Sequence, residues 1–341
     1  MKTILVTGGA GFLGSHIAER LIAAGHRVVI LDNLAGGDEA NIPQGANFIF
    51  GDVTDESRVI HLFGKIRFDA VVHCAAFASE NLSHNCRLHT FRSIVLGSGI
   101  LVNAAVNHGV ELFVSMSSIA IYGDRKPPFT ESDPALPCDP YGAAKACAEY
   151  DLRGATKNFG MNHLIFRPHN IIGTRQSLAD STRNVASIFI RQALSGQAFT
   201  IFGDGQQTRA FSPVNKVAAI IAASVDRKET WNQTFNIGGD SVMSVNRLAY
   251  VVAEKAGLDE ANCEYLPARN ETMHAHSSHD LVKQFFPDLA LMPESIEDTV
   301  AEMVAEARKA PLPKLKRLPR IEVIKNLPEI WKSQPSRATS C

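Results

Sequence analysis

The sequence predicts a doubly wound α/β fold, in which a parallel sheet is joined to a smaller, interleaved α/β lobe formed by the C-terminal half. Short β-branched runs alternate with longer helical patterns through the first half, at the spacing of βαβ units. A glycine-rich turn follows the first of these runs directly. We therefore expect a first domain at 1–165, a second lobe at 166–309 and an extended C-terminal arm at 310–341.

The predicted strands are short runs rich in β-branched and other apolar residues. They lie at Thr3–Thr7, Arg27–Leu31, Asn47–Gly51, Ala70–Cys74 and Leu112–Ser117, and two later runs, His163–Arg167 and Thr234–Ile237, are expected to join the same sheet. Helical patterns occupy Phe12–Ala24, Glu56–Lys65, Ser93–His108, Tyr141–Phe159, Thr182–Ser195 and Val214–Val225. The arm is basic and proline-rich, which predicts an extended surface segment that ends in disorder and has no catalytic role.

The composition restricts the class of partner. The formal net charge is -1 and charged residues make up 20 % of the chain, so no global field draws the protein to nucleic acid or to an anionic membrane. No segment reaches the ~18 apolar residues of a membrane span. The six cysteines are scattered without a CxxC pair, which suits a reducing compartment. We expect a cytoplasmic protein that acts on a small molecule.

The segment at residues 7–14 reads TGGAGFLG and lies between a predicted strand and a predicted helix. Its G-x-G-x-x-G spacing, from Gly9 to Gly14, fits a phosphate-binding turn. Glycines let the backbone approach a pyrophosphate, whose charge then lies at the positive end of the following helix. The expected dinucleotide contacts in this turn are Gly8, Gly11, Phe12, Leu13 and Gly14.

Asp32 closes the second predicted strand, at roughly the ~20-residue offset of a carboxylate that binds the adenosine ribose hydroxyls. No Arg follows it directly to receive a 2′-phosphate, so the sequence favours NAD over NADP. A plain Asp-Asn turn is the other interpretation. Ligands bind at the carboxyl ends of strands in such sheets. Further cofactor contacts are therefore expected at Asn33, Asp52, Val53, Cys74, Ala75 and Ala76.

Tyr141 and Lys145 are four residues apart on a predicted helix and share a face. The ammonium of Lys145 would lower the phenol pKa and also reach the nicotinamide ribose. A phenolate positioned against a sugar hydroxyl could remove its proton while hydride leaves the same carbon. On an arbitrary helix the Tyr-x-x-x-Lys spacing alone would not indicate a catalytic pair. Here the dinucleotide turn and Ser118 precede it in the chain, and they favour the catalytic interpretation.

Three motifs together resemble the extended short-chain dehydrogenase/reductases, the Rossmann-fold group that includes UDP-galactose 4-epimerase. They are TGGAGFLG at 7–14, M-S-S-x-x-x-Y-G at 116–123 and Y-G-A-A-K at 141–145. The resemblance extends over nearly the whole chain. It implies that Ser118, Tyr141 and Lys145 are the catalytic residues, with Ser118 bonded to the reacting sugar oxygen. It also implies that Pro168 borders the cofactor and that Tyr122 is structural.

In the second lobe, residues 167–170 resemble the family's R-x-F-N and residues 202–209 its G-x-G-x-Q-x-R. This implies that Arg209 and a late arginine, Arg269, converge on the substrate diphosphate. His276 falls where some UDP-hexose epimerases limit the substituent at C2 of the sugar. The expected substrate contacts are Ser118, Asn170, Asn184, Val185, Thr200, Phe202, Arg209, Arg269 and His276.

The type of reaction is predicted from the two residues after the serine. Family dehydratases and decarboxylases usually carry acidic residues there, whereas this chain has Ile119 and Ala120. The resemblance therefore implies NAD-dependent epimerisation at C4 of a nucleotide-diphosphate hexose of the UDP-glucose/UDP-galactose type, through a transient 4-keto intermediate. The alternatives are an epimerase or reductase of another nucleotide sugar (UDP-glucuronate, UDP-GlcNAc, GDP- or dTDP-linked) and a non-catalytic NAD-binding sensor.

The resemblance also implies a homodimer formed by the helices at 93–108 and 141–159. The apolar residues expected at this interface are Ile100, Val102, Ala104, Ala105, Cys147 and Tyr150. A metal site in the histidine cluster at 274–279 is not expected, because no cysteine or ordered set of carboxylates completes it.

Overall fold

The computed structural model describes residues 1–182, 184–268, 271–290 and 295–332. Its strands are β1 Thr3–Thr7, β2 Arg27–Asp32, β3 Asn47–Phe50, β4 Ala70–His73, β5 Leu112–Met116, β6 Asn162–Pro168, β7 Ile171–Ile172, β8 Phe199–Phe202, β9 Thr208–Ala210, β10 Ser212–Pro213, β11 Gln233–Ile237, β12 Val242–Ser244, β13 Cys263–Leu266 and β14 His274–Ala275. Its α-helices are α1 Phe12–Ala23, α2 Glu56–Lys65, α3 Glu80–Ser83, α4 Arg87–Phe91, α5 Gly97–Asn107, α6 Pro140–Phe159, α7 Val185–Leu194, α8 Val214–Ser224, α9 Val245–Lys255, α10 Asp280–Phe285, α11 Pro287–Ala290, α12 Ile296–Ala307 and α13 Glu329–Lys332.

Seven parallel strands form the central sheet, in the order β11-β6-β5-β4-β1-β2-β3. The chain moves outward from β1 to β3 and then returns to place β4 on the other side of β1. This reversal opens a crevice at the carboxyl ends of β1 and β4, where such sheets bind their ligands. The doubly wound fold predicted from the sequence is confirmed.

Helices cover both faces of the sheet because its strands are apolar on both sides. Ile4 and Val6 of β1 face a layer that contains α1 and α8, whereas Leu5 faces the layer of α2, α5 and α6. All three side chains are fully buried. A separate apolar core joins α7, α9 and α12 to β8 in the second lobe, with Phe189 and Phe199 at its centre. The domain boundaries at 165 and 309 stay a prediction.

Two predicted helices begin later than expected. The helix predicted from Ser93 is α5, which begins at Gly97 after a π-helical segment at Arg92–Leu96, and the short helices α3 and α4 precede it. The helix predicted from Thr182 is α7, which begins at Val185. Asn184 fixes this start because its side chain accepts a hydrogen bond from the backbone N–H of Ala186 at 3.1 Å.

The expected interface residues differ in exposure. Val102, Ala104 and Ala105 are at most 4 % exposed and pack into the core beneath the sheet, so they cannot contact a second subunit. Cys147 and Tyr150 are exposed on α6, as expected. Apolar residues look alike in a sequence whether they face a core or a partner, and this is why the prediction was wrong for the three on α5.

Candidate active site

A large cleft lies at the carboxyl ends of the central strands, between the sheet and the second lobe. Its volume is about 1650 Å³. Pockets for one small ligand commonly measure roughly 300–1,000 Å³. The cleft can therefore accommodate two large ligands side by side.

The glycine turn forms one end of this cleft. Gly8 has a φ of 69°, a left-handed conformation that glycine adopts without strain. A Cβ at Gly14 would lie 2.2 Å from the carbonyl oxygen of Gly8, so only glycine fits there. Gly11 is the N-cap of α1 and offers no side chain to cap the helix. The N–H groups of the first turn of α1 are thus available to an anion, as a dinucleotide pyrophosphate requires.

Acidic side chains follow the turn at the ends of β2 and β3. Asp32 accepts hydrogen bonds from the backbone N–H of Ala10 at 3.0 Å and of Leu34 at 2.7 Å, and burial raises the pKa of its carboxyl. These bonds hold the carboxylate at the cleft wall, where it can accept from ribose hydroxyls. Asn33 donates its side-chain N–H to Asp52 at 2.7 Å, which links the two strand ends.

The end of β4 supplies the floor of the cleft through Cys74, Ala75 and Ala76, with Val53 nearby. Burial lowers the pKa of the neighbouring His73 to about 3 and raises the pKa of the Cys74 thiol to about 12. Both side chains are therefore neutral at physiological pH. Cys74 therefore presents an uncharged thiol to the cleft, whereas His73 lies behind it and is hydrogen-bonded to Thr7 and Ser98.

Helix α6 positions Tyr141 and Lys145. Asp139 caps the helix by accepting from the N–H of Gly142 at 2.9 Å, which places Tyr141 in the first turn at the cleft wall. The Lys145 ammonium donates to the carbonyl oxygen of Met116 at 2.6 Å and lies 5.8 Å from the centroid of the Tyr141 ring. Burial lowers the pKa of Lys145 to about 8, so the side chain is mainly charged at neutral pH.

Ser118 completes the set immediately after β5. Its hydroxyl accepts from the N–H of Ala120 at 3.1 Å, which begins a turn of 3₁₀-helix, and the residue lines the same cleft. The adjacent Ser117 hydroxyl is buried and has no hydrogen-bond partner among the described residues. A polar atom left in this state next to the cleft is consistent with a bound dinucleotide that would satisfy it.

Tyr122 lies outside the cleft. Its hydroxyl donates to the side-chain oxygen of Asn236 at 2.7 Å and accepts from Arg167 at 2.7 Å. Arg167 in turn forms a buried, two-point ion pair with Glu149, at 2.9 Å and 2.6 Å. Burial raises the pKa of Tyr122 to about 12. This tyrosine is a structural group that links β11 to β6, and it is not the base.

The expected cofactor contacts, among them Pro168 and the Tyr141 and Lys145 side chains that would flank the nicotinamide, all line the cleft. The second lobe brings six of the expected substrate contacts to the same cleft: Asn170, Asn184, Val185, Thr200, Phe202 and Arg209. One guanidinium N–H of Arg209 donates to the carbonyl oxygen of Met273 at 3.1 Å, and another lies 3.6 Å from the carboxylate of Glu271. These contacts fix the arginine beside the cleft.

Two expected substrate contacts are not placed in the cleft. Arg269 lies outside the described residues. His276 does not line the cleft: its carbonyl oxygen accepts from the backbone N–H of Phe129 at 3.1 Å, and the neighbouring Ala275 lies at the wall instead. Among the described residues, no group of three His, Cys, Asp or Glu side chains could hold a metal ion.

Sequence reasoning missed part of the cleft wall. The segment between β4 and α5 contributes Ser79, His89 and Arg92, and the C-terminal arm contributes a basic series from Lys314 to Arg320. The charge and proline content of the arm were visible in the sequence, but no local pattern connects it to a cleft whose other lining residues extend from Gly8 to Ala307.

A glycine turn, a carboxylate at the end of β2 and a Ser-Tyr-Lys set in one cleft define a dinucleotide-dependent enzyme of the short-chain dehydrogenase/reductase class. Residues 4–238 match the model of the NAD dependent epimerase/dehydratase family. The chain belongs to this family, and it is NAD-dependent. Among the described residues, no helix is long and apolar enough to cross a bilayer.

Several similar proteins are UDP-glucose 4-epimerases by name. The enzyme of Thermotoga maritima, whose structure was solved with UDP-glucose, is 30 % identical, with a TM-score of 0.85 over 90 % of this chain and 99 % of that chain. The enzyme of Thermus thermophilus, solved with NAD, is 30 % identical with a TM-score of 0.84 and the same coverage. A UDP-glucose 4-epimerase from Halalkalibacterium halodurans is 29 % identical over 74 % of this chain and 80 % of its own length.

Proposed function

We propose that the protein interconverts the C4 epimers of a nucleotide-diphosphate hexose of the UDP-glucose/UDP-galactose type. The observation that carries this proposal is the position of Ser118, Tyr141 and Lys145 in a cleft that also contains the dinucleotide turn and has room for a second nucleotide. The names of the similar proteins point to the same reaction.

Each residue of the set has one task. When bound, NAD would supply the hydride acceptor and donor for C4 of the sugar. Tyr141 removes the proton of the O4 hydroxyl, and the nearby ammonium of Lys145 favours the phenolate that does so. Ser118 donates a hydrogen bond to the same oxygen. Once the 4-keto sugar has turned in the cleft and presents its other face to the cofactor site, Tyr141 would give the proton back to O4.

Elimination of water is not favoured by the residues beside the serine. Ile119 and Ala120 both line the cleft, and neither can transfer a proton. The guanidinium of Arg209 is a donor pair for the substrate diphosphate, and Asn170 of the same lobe also lines the cleft. By the family resemblance, Asn170 and Ser177 stand where UDP-glucuronate 4-epimerases often carry Thr and an additional Arg, and this favours a neutral hexose over a uronate.

A homodimer is part of the proposal. Leu96 and Tyr150 are 48 % and 63 % exposed on the surface formed by the helices that precede and follow β5, and Phe91 nearby is 38 % exposed. An apolar surface of this kind favours a second copy of the chain. Sedimentation at micromolar concentration should give a dimer, and a clean monomer would contradict the proposal.

The reaction is tested with a panel of UDP-, GDP-, dTDP- and CDP-sugars, followed by chromatographic separation of the 4-epimers. We expect conversion of a UDP-hexose to an equilibrium mixture, with no net change in NADH. Stoichiometric formation of free NADH or NAD would instead identify a one-way reductase or dehydrogenase. Binding of NAD without conversion of any sugar would favour the sensor.

A further inference from the structure

We propose that residues 311–332, the C-terminal strap, close over bound NAD, and that Lys316 contacts the adenosine half of the dinucleotide. The strap lines the same cleft as the glycine turn, through Pro313, Lys314, Lys316, Arg317 and Arg320 among others. It is therefore a wall of the cofactor site and not the free surface segment that its composition predicts.

The start of the strap is fixed to the second lobe. Arg191 of α7 donates from its guanidinium to the carbonyl oxygen of Pro313 at 2.7 Å. The backbone N–H of Lys316 donates to the carbonyl oxygen of Ala179 at 2.8 Å. These two bonds hold the strap along the edge of the cleft that faces the substrate-contact residues.

The far end of the strap is fixed to the first half of the chain. The Glu322 carboxylate accepts from the backbone N–H groups of Leu88 and His89, at 2.7 Å and 2.9 Å, in the first turn of α4. Asn85 donates its side-chain N–H to the carbonyl oxygen of Val323 at 2.6 Å. Because the two ends are held on different lobes, the strap crosses the mouth of the cleft.

Apolar burial stabilises this docked position. Leu318, Leu327 and Trp331 are 4 %, 8 % and 5 % exposed, and they pack against Leu82 and Cys86 in a cluster of their own. Three large side chains removed from water make docking a specific association of the strap with the first half of the chain. Proline residues in the strap limit the conformations that it must give up on docking.

Lys316 is the cation that the strap brings to the adenosine end. Its ammonium donates to the carbonyl oxygen of Gly37 at 3.3 Å and interacts electrostatically with Asp32. Gly37 packs directly on the glycine turn, since a Cβ there would lie 2.9 Å from the carbonyl oxygen of Ala10. The ammonium therefore lies between the expected ribose site and the phosphate-binding turn, where ribose and phosphate oxygens of NAD would accept its hydrogen bonds.

A strap across the cofactor has a clear use in a cycle that reduces NAD and oxidises it again at the same site. Reduced cofactor that escaped in mid-cycle would leave an oxidised sugar behind. The strap lowers this risk by slowing dissociation of the dinucleotide. This inference depends on NAD binding alone and does not require that the sugar be a UDP-hexose.

The test compares three full-length variants. Lys316→Ala removes the proposed contact, and Leu318→Asp releases the strap by placing a charge in its apolar cluster. Lys325→Ala is the matched control, because Lys325 is an exposed lysine of the same strap that does not line the cleft. The readouts are NAD retained after gel filtration and the dissociation rate of NADH by stopped-flow fluorescence, both without any sugar nucleotide.

We expect dissociation about tenfold faster for Lys316→Ala, the loss that follows from one charge-assisted hydrogen bond. NADH should dissociate from Leu318→Asp at least as fast as from Lys316→Ala, and the strap of Leu318→Asp should become accessible to limited trypsin digestion. The dissociation rate of Lys325→Ala should match that of the wild type. Wild-type dissociation in Lys316→Ala would overturn the contact, whether or not Leu318→Asp folds. If Lys316→Ala bound NADP more weakly but bound NAD as the wild type does, the proposed contact would also be overturned, because that result would place Lys316 at a 2′-phosphate.

Discussion

Tyr141→Phe and Tyr122→Phe each remove one hydroxyl, but the two substitutions should affect different properties. Tyr141 lines the cleft within 5.8 Å of the Lys145 ammonium, measured to the ring centroid, and Phe keeps the ring while removing the group that accepts the proton. Loss of a general base typically costs about 10²–10⁴ in rate. We therefore expect kcat to fall by about this factor, with the binding of UDP and the melting temperature close to wild type.

Tyr122→Phe should act on stability. The change leaves the side-chain oxygen of Asn236 without its donor and an N–H of Arg167 without its acceptor, and both atoms are buried. Each such loss costs about 1–3 kcal/mol, so the free energy of unfolding should fall by about 2–6 kcal/mol. At roughly 2–4 °C per kcal/mol, the melting temperature should drop by about 10 °C. The fraction that remains folded should keep its turnover.

The assay pairs separation of 4-epimers for kcat with thermal unfolding of the same preparations. Because both variants are Tyr→Phe, a difference between them reflects the site and not the chemistry of the substitution. If Tyr141→Phe epimerised the true substrate at nearly the wild-type rate, the assignment of the base would have to be abandoned. The reasoning would fail equally if Tyr122→Phe lost turnover without losing stability.

Substrate affinity and acid stability can be tested on the same geometry. Arg209→Ala should raise KM for the nucleotide sugar with little change in kcat, because a diphosphate contact acts alike on ground and transition states; a fall in kcat alone would contradict this. Stability should also decrease in acid, because burial lowers the pKa values of His73 and His169 to about 3 and of His163 to about 4, below an unfolded value of about 6.5. The stabilisation that comes from keeping these histidines neutral is complete above pH 6.5 and is lost as the pH falls towards 3–4. At pH 5 each histidine should therefore lower the free energy of unfolding by about 2 kcal/mol. Equal urea midpoints at pH 7.5 and pH 5 would refute this prediction.

Much of the site could be predicted because its requirements are local. Gly8 and Gly14 are needed by the backbone of one turn, and Asp32 follows at the end of the next strand. Tyr141 and Lys145 share a helix face because of their spacing alone. Such features depend on neighbours within about one βαβ unit, and a single sequence contains all of that information.

Other features depend on contacts between distant parts of the chain. The sequence determined the doubly wound fold, the NAD-binding turn and the Tyr-Lys pair, since alternating apolar runs, glycines and helical spacing act through local geometry. Only the tertiary structure decided that Ala275 and not His276 lines the cleft, that Val102 and its neighbours on α5 are core, and that the arm lines the same cleft as the glycine turn. Lys316 bonds to Ala179 and Gly37, residues 137 and 279 positions away, and no local pattern records which distant surfaces an extended segment will cover. Docking of that kind is set by apolar burial and backbone hydrogen bonds that exist only once the sheet and the second lobe have formed.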